Sequence, residues 1–383
     1  MLKVAYISPT YFSNVDIPFI EEMRHLCEIH YFPIVPSSGK GYAINLTHLP
    51  SKADIYSGTD FDELKKFKDL IDLSKTHVVY RKAVHSWEWS NWKVSFQLVR
   101  ILKKEHFDVI HITDSWRYFE WPLLRLRNKT ILSVHDPFLH SSMQNKFAHL
   151  YRWISFHSFQ HFILFNKEQF QSFIDTYHLQ DKNVYCSQLS VYSYLSSYAK
   201  PQHQDRPYAL YIGTIRPYKG LEYLFAAMEK VHQKHPTYQL IVAGSGKYYF
   251  DIEIYKNCDY IKIINTFLSD EEQAPLIANS DFVVCPYKDA TQSGVIMSAY
   301  AFEKPCVVTR TGGLPEMVGN GDYGLIVPPC AVDELADAMC QMIENPTLRN
   351  QFAKKIHDNY YLGEKSWSTI VSDIVAHVYS KIN

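Results

Sequence analysis

The sequence lacks a long apolar segment and has no strong excess of charge of either sign. No apolar run approaches the ~18 residues that a membrane-spanning helix needs, and the first strand-like run, Lys3–Ser8, is too short for a signal peptide. The 39 Lys and Arg residues nearly balance the 40 Asp and Glu residues, which leaves a formal net charge of −1. This balance excludes the strongly basic composition of most nucleic-acid-binding proteins, so we expect no nucleic-acid partner.

Cysteine motifs are missing as well. The seven cysteines are scattered, with no C-x-x-C pair and no zinc-ligand spacing, a pattern typical of reduced thiols in the cytosol. No G-x-G-x-x-G follows the first apolar strand, which disfavours an NAD-dependent dehydrogenase. The composition therefore indicates a cytoplasmic globular protein without a structural metal.

Length and periodicity predict two α/β domains. The 383 residues exceed the usual size of one domain, and short apolar runs alternate with amphipathic ones, which predicts parallel sheets with crossover helices. A polar segment with two prolines, residues 196–207, is the predicted linker. It separates a domain at residues 1–195 from one at 208–365, and a helical tail follows at 366–383. In the first half the predicted strands are Lys3–Ser8, Glu28–Ile34, His77–Arg81, Asp108–Ile112, Thr130–Val134 and His161–Phe165.

Four polar or glycine-containing turns each follow a predicted strand in the second half. In open α/β sheets the ligand lies outside the carboxyl ends of the strands, so these turns predict one ligand cleft. A turn that begins a helix also presents backbone N–H groups that favour phosphate or other anionic oxygens. Each turn alone fits an ordinary strand-to-helix connection equally well. The turns are Gly213–Gly220, Gly244–Gly246, Asp289–Val295 and Thr311–Glu316.

Two cations lie three residues apart on the first turn. Arg216 can bind two phosphate oxygens at once, and Lys219 supplies a compact positive charge. The pair alone also fits two solvated charges beside a helix start.

With these turns, the sequence from about residue 208 to 345 resembles retaining glycosyltransferases of the GT-B type, in glycosyltransferase family 4. It carries that family's G-x-x-R-x-x-K-G pattern at Gly213–Gly220. The resemblance implies two Rossmann-like domains that face each other across a cleft. It also implies an N-terminal acceptor domain, a C-terminal donor domain and a last helix that returns to the N-terminal domain. Before residue 208 the resemblance is much weaker.

The resemblance assigns roles to individual residues. Arg216 and Lys219 would stabilise the departing diphosphate, and a neutral His135, at the end of a strand in the first half, would contact the donor sugar. These three residues are the predicted catalytic set. Asp114 and Asp136 are weaker candidates for binding acceptor hydroxyls. The predicted donor-binding residues are Gly213, Gly244, Gly246, Asp289, Gln292, Ser293, Gly294, Ser298, Gly312, Gly313 and Glu316.

The sequence departs from the family pattern at two places. Aligned on Lys304-Pro305, the family's two glutamates, separated by seven residues, become Ala290 and Ser298. We expect Ser298 to lie near the nucleotide ribose, and Gln292 and Ser293 to supply hydrogen bonds in place of the carboxylates. In the N-terminal half, residues 9–13 replace the paired glycines of the family.

The resemblance implies transfer of a sugar from a nucleotide-diphosphate sugar to an acceptor hydroxyl with retention, of a hexosyltransferase-like kind. The departing diphosphate would itself take the acceptor proton. Asp270 and Asp289 are isolated and no D-x-D motif stands where it would hold a metal, so we expect metal-independent transfer without a cofactor.

The acceptor is expected to be a saccharide or lipid-linked saccharide in surface polysaccharide or glycolipid synthesis. An aromatic and basic stretch at residues 146–153 leaves peripheral contact with the inner face of a membrane open. Two other functions also stay open. One is a nucleotide-sugar 2-epimerase on the same fold, and the other is a catalytically silent protein that binds nucleotide sugars.

Overall fold

The first sheet is doubly wound and almost entirely parallel. Its order is β3-β4-β2-β1-β5-β6-β7-β8, and only β3 runs antiparallel to its neighbour β4. Continuous apolar runs such as Lys3–Pro9 form these strands, because a parallel sheet is covered on both faces. The strands are β1 Lys3–Pro9, β2 Glu28–Val35, β3 Asp54–Ser57, β4 His77–Tyr80, β5 Val109–Thr113, β6 Thr130–Val134, β7 His161–Leu164 and β8 Asn183–Cys186.

The second sheet has six parallel strands in the order β11-β10-β9-β12-β13-β14. All five residues of its central strand, Tyr208–Ile212, are buried. The order reverses between β9 and β12, as in Rossmann-like sheets. The strands are β9 Tyr208–Ile212, β10 Gln239–Ala243, β11 Ile261–Ile264, β12 Phe282–Cys285, β13 Cys306–Thr309 and β14 Gly324–Val327.

Helices connect the strands. In the described residues, no helix combines the length and apolar character needed to cross a membrane. The helices are α1 Ser13–Met23, α2 Trp89–Lys104, α3 Lys146–Ser158, α4 Phe170–Tyr177, α5 Leu221–Lys234, α6 Asp270–Ala278, α7 Gly294–Tyr300, α8 Leu314–Met317, α9 Val332–Glu344, α10 Pro346–Tyr360 and α11 Trp367–His377.

The computed structural model describes residues 1–85, 87–113, 118–138, 146–199 and 206–382. These residues form two compact units. One unit comprises residues 1–189 and 367–383, and the other comprises residues 190–366.

The boundary differs from the predicted one at residue 195. Residues 190–199 group with the second unit, and Ser193–Tyr198 form a short 3-10 helix where the linker was predicted to begin. The side chains of Tyr194 and Leu195 are buried, and Tyr194 Oη donates a hydrogen bond to Asp270 Oδ1 at 3.4 Å. Tyr194 and Leu195 precede the polar segment and pack within the second unit, so the boundary between the units lies before them. Residues 200–205 of the predicted linker lie outside the described part of the chain.

Candidate functional site

The reversal of strand order in the second sheet lies between β9 and β12. Consecutive connections leave these two strands in opposite directions, which opens a crevice outside their carboxyl ends. The four predicted turns follow β9, β10, β12 and β13, so all of them lie at this edge of the sheet.

Glycines bring the turns into direct backbone contact. A Cβ atom on Gly244 would lie 1.8 Å from the carbonyl oxygen of Gly213, and one on Gly312 would lie 1.5 Å from that of Ala290. Gly312 also has a φ of +47°, in the left-handed region. The turn after β9 therefore packs on the turn after β10, and the turn after β13 packs on the turn after β12.

The turn after β9 also contacts the turn after β12 through Lys219. The Nζ atom of Lys219 lies 3.6 Å from the centroid of the Tyr287 ring and 5.2 Å from that of the Tyr218 ring. The N–H of Lys288 donates to the Tyr218 carbonyl at 2.7 Å, which fixes the two turns together. Lys219 is thus held against aromatic faces at the centre of the edge.

Among the residues that the structure describes, Lys219 has no anionic partner. In the part of the chain that the structure describes, no atom accepts a hydrogen bond from its Nζ and no carboxylate lies within ion-pair distance. Burial lowers the pKa of Lys219 to about 8, with an opposing effect from the nearby Cys285 thiol. A partly desolvated cation without a counterion favours an anionic ligand, because the ligand supplies the missing charge.

Arg216 begins the same short helical turn, Pro217–Lys219, with an extended backbone. Its side chain is exposed, and no described residue accepts a hydrogen bond from it. The N–H of Lys219 donates to the Arg216 carbonyl at 3.0 Å. The two predicted cations therefore share one rigid turn, and neither is neutralised by a described carboxylate.

A buried polar cluster that the sequence analysis missed lies beneath Lys219. The Tyr287 hydroxyl is 3.2 Å from Ser293 Oγ, and both side chains are buried. Burial raises the pKa values of the Tyr287 phenol and the Cys285 thiol, so both groups are neutral near pH 7. Tyr287 follows the apolar strand β12, so its sequence context predicts an ordinary core aromatic. Only its contact with Lys219 identifies it as part of the candidate site.

Two predicted donor-binding amides are already hydrogen-bonded within the protein. The N–H of Gly313 donates to the Thr291 carbonyl at 3.0 Å, and that of Gly246 donates to Asn265 Oδ1 at 3.2 Å. The N–H of Gly313 is therefore committed within the protein, and donor binding by Gly313 stays a prediction. The turn after β13 uses that hydrogen to hold the turn after β12, a role that the Gly-Gly pair does not reveal in the sequence.

The remaining donor candidates differ in exposure. Asp289 and Gly294 are exposed, and Gln292 is half-buried. Glu316 lies in the first turn of α8, where its charge also suits the helix dipole. It lies close enough to raise the pKa of Lys365, in opposition to burial, which lowers it.

Ser298 is buried within α7, and its Oγ donates to the Gly294 carbonyl at 3.1 Å. This internal bond commits the hydroxyl hydrogen and leaves the oxygen as an acceptor. A ribose contact by Ser298 stays a prediction.

His135 lies in the first unit, directly after β6. Its ring packs between Phe12 and Phe165, with centroid distances of 4.4 Å and 4.9 Å. Burial lowers the pKa of His135 to about 4, so the imidazole is neutral at pH 7. Neither ring nitrogen has a hydrogen-bond partner among the described residues. The neutral state matches the one that its predicted role requires.

The structure describes only one of the two acceptor candidates. Asp114 lies outside the described residues. Asp136 is half-buried, and its backbone carbonyl accepts a hydrogen bond from Arg152 Nη1 at 2.5 Å. Both acceptor assignments stay predictions.

Comparisons with known proteins show which family and which fold the chain resembles. Residues 206–345 match the family model described as glycosyl transferases group 1. A stretch of 153 residues is 29% identical to the alpha-D-kanosaminyltransferase of Streptomyces kanamyceticus, and it covers 39% of this chain and 40% of that protein. The alignment thus spans less than half of that relative's length.

Two solved structures have the same fold over the whole chain. Sucrose-phosphate synthase from Thermosynechococcus elongatus superposes with a TM-score of 0.68 at 14% identity, covering 99% of this chain and 100% of that one. The UDP-GlcNAc 2-epimerase of Neisseria meningitidis, solved bound to UDP-GlcNAc, has a TM-score of 0.59 at 12% identity, covering 99% and 100%. Residues 206–345 thus match the group 1 glycosyltransferases, and the two α/β units have the GT-B fold.

Proposed function

We propose that the protein is a retaining glycosyltransferase that moves a sugar from a nucleotide-diphosphate sugar to an acceptor hydroxyl. The observation that carries this proposal is the pair of cations, Arg216 and Lys219, on one turn within the matched region and without a described carboxylate partner. A diphosphate supplies two negative charges to such a pair of cations.

The two cations would act on the leaving group. When the bond between the anomeric carbon and the diphosphate oxygen breaks, the electron pair moves to the diphosphate and increases its negative charge. Lys219, held against aromatic rings in a partly desolvated position, needs little reorganisation to stabilise that charge. The acceptor oxygen bonds to the same face of the sugar, and its proton passes to the departing diphosphate oxygen.

His135 would donate a hydrogen bond to the donor sugar. A neutral imidazole is both a donor and an acceptor, so it binds a hydroxyl without introducing a charge. Its pKa of about 4 keeps it neutral across the physiological range.

We further propose that transfer needs no metal, because the two cations supply the positive charge that a divalent ion supplies in other transferases. A saccharide or lipid-linked saccharide of surface polysaccharide or glycolipid synthesis, on the cytoplasmic side, is the proposed acceptor. Peripheral contact with a membrane is consistent with the exposure of Trp153, at 55%, and of His149 and Leu150 on α3.

A 2-epimerase is the second candidate, because an enzyme of that class has the same fold. Incubation with UDP, GDP and ADP sugars, with and without acceptor saccharides, separates the candidates by product. Acceptor-dependent release of nucleoside diphosphate, with a product of unchanged anomeric configuration by NMR, supports the transferase. Isomerisation of the donor without an acceptor identifies an epimerase, and binding without turnover identifies a silent protein.

A further inference from the structure

A cluster of three potential metal ligands lies away from the four turns at the carboxyl edge of the second sheet. It lies where the C-terminal ends of two helices of the second unit meet. His235 directly follows α5, and Cys340 and Glu344 lie on the last turns of α9. One ligand atom from each residue lies within 4.8 Å of the other two, and the Nε2 atom of His235 is 3.0 Å from Glu344 Oε1. In the described part of the chain, this is the one group of three such side chains close enough to hold an ion.

We propose that His235, Cys340 and Glu344 form a binding site for a divalent cation of the zinc class. Imidazole, thiolate and carboxylate are the three ligand types that zinc prefers in proteins. Bond lengths of about 2.0–2.3 Å place tetrahedral ligand atoms roughly 3.3–3.6 Å apart, so the observed cluster needs only small side-chain rotations. The fourth position is open to water, because the Glu344 side chain is 59% exposed.

The helices are arranged in a way that fixes the three ligands. Residues 340 and 344 are four apart on α9 and therefore share one face of the helix. The two helices run side by side in the same direction, since Lys230 pairs with Asp333 and Lys234 pairs with Asp337 one turn later, at 3.4 Å. The ligand cluster lies just beyond this line of pairs, at the C-terminal end of both helices.

The local electrostatics also favour a cation. Both helices end at the cluster, and the C-terminal end of a helix carries a partial negative charge. A bound metal ion would displace the thiol proton and neutralise the carboxylate.

The position in the fold gives this site a structural role. Helix α5 leads from the carboxyl end of β9 to the amino end of β10. Its last residues therefore lie at the edge of the sheet opposite the four turns after β9, β10, β12 and β13. A metal ion here would join α5 to α9 without contacting the donor. This inference does not rest on the proposed transfer reaction.

Cobalt(II) titration of the full chain, stripped of metal with a chelator, tests the proposal without donor or acceptor. We expect one equivalent to bind with a thiolate-to-metal absorption band in the near ultraviolet, and zinc(II) to displace it. The Cys340→Ser variant should lose the band. His235→Gln and Glu344→Gln should each weaken binding by more than about 10-fold, because even groups that only orient a ligand contribute about 10–100-fold.

Cys330→Ser is the matched control, because Cys330 is an exposed thiol on the loop before α9 and should retain the band. Absence of the band in the wild-type chain, or its survival in Cys340→Ser, would overturn the proposal. Should the Cys340 variant not fold, the two variants at the partly exposed ligands decide, and unchanged affinity in both would show adventitious binding only.

Discussion

At the scale of single residues, Lys219 is the residue on which the proposed function depends most. A charge-assisted hydrogen bond contributes roughly 1.5–3 kcal/mol, so we expect Lys219→Ala to lower kcat/KM by about 10–100-fold. Lys262→Ala, which removes an exposed lysine from β11, is the matched control and should have little effect. Steady-state kinetics with the best donor provide the measurement, and equal activity of Lys219→Ala and the control would contradict the assignment.

The pH dependence of activity should report the same lysine. In the proposed function the protonated form of Lys219 binds the diphosphate, and the pKa of Lys219 in the free protein is about 8. The value of kcat/KM should therefore be highest below pH 8 and fall as the pH rises through that value. Lys219→Arg keeps its charge throughout this range, so its profile should lack the fall. A wild-type profile that stays flat from pH 7 to 9.5 would exclude this role.

His135 should affect the chemical step more than nucleotide binding. His135→Ala removes a hydrogen bond to the sugar but none to the diphosphate, so kcat should fall while the affinity for free nucleoside diphosphate stays unchanged. Because its pKa is about 4, protonation of His135 should not lower activity between pH 7 and 5.5. Calorimetry and kinetics on the same preparation test this, and a parallel loss of nucleotide affinity would place His135 elsewhere.

At the scale of elements, the contact between the turns after β12 and β13 depends on Gly312. A Cβ atom at this position would lie 1.5 Å from the Ala290 carbonyl oxygen, and the residue would have to adopt a left-handed backbone conformation. Gly321→Ala also imposes a positive φ, but a Cβ there has no atom within 4 Å. Backbone strain alone costs about 1–3 kcal/mol. We therefore expect Gly312→Ala to lower the free energy of unfolding by more than Gly321→Ala, measured by urea denaturation. Equal losses would show that the contact does not matter.

Continuous apolar runs predicted most strands of both sheets from the sequence. Strands β8 and β14 were not predicted: the residues of β8 are half-buried or exposed at the sheet edge, and β14 begins with a glycine. Strand β3, which pairs antiparallel with β4 at the edge of the first sheet, was not predicted either. Edge strands carry too little apolar pattern to be distinguished from loops.

The candidate site was predictable as a set of turns but not as a set of contacts. The glycine spacing located the turns after β9, β10, β12 and β13, because each follows an apolar run. Which turns touch depends on the strand order, which periodicity does not encode, so the contact of Lys219 with Tyr287 and the bond from Gly313 to Thr291 were missed. The cluster of His235, Cys340 and Glu344 was missed for the same reason, since its members meet only when α5 packs on α9.

At the scale of the whole molecule, metal removal should have two separate effects. Chelation should leave the transfer reaction intact, because in the proposed function Arg216 and Lys219, and not a metal ion, stabilise the leaving diphosphate. It should lower the melting temperature, because an ion at the α5–α9 site stabilises the folded state by mass action. Activity at 25 °C and thermal denaturation, measured with and without EDTA, test both. Activity lost on chelation and restored by Mg²⁺ would contradict metal-independent transfer, and an unchanged melting temperature would contradict the structural metal.

The proposed function requires that Arg216 and Lys219 together hold the diphosphate of a nucleotide-sugar donor. Calorimetric titration of the wild-type chain and of the Arg216→Ala/Lys219→Ala double variant with UDP, GDP and ADP, and with the corresponding nucleosides, tests it most directly. We expect one diphosphate to bind the wild type much more tightly than its nucleoside. The double variant should lose at least about 100-fold in that affinity, equivalent to roughly 2.7 kcal/mol, while its nucleoside affinity stays unchanged. Equal diphosphate affinity in the two proteins would contradict the account.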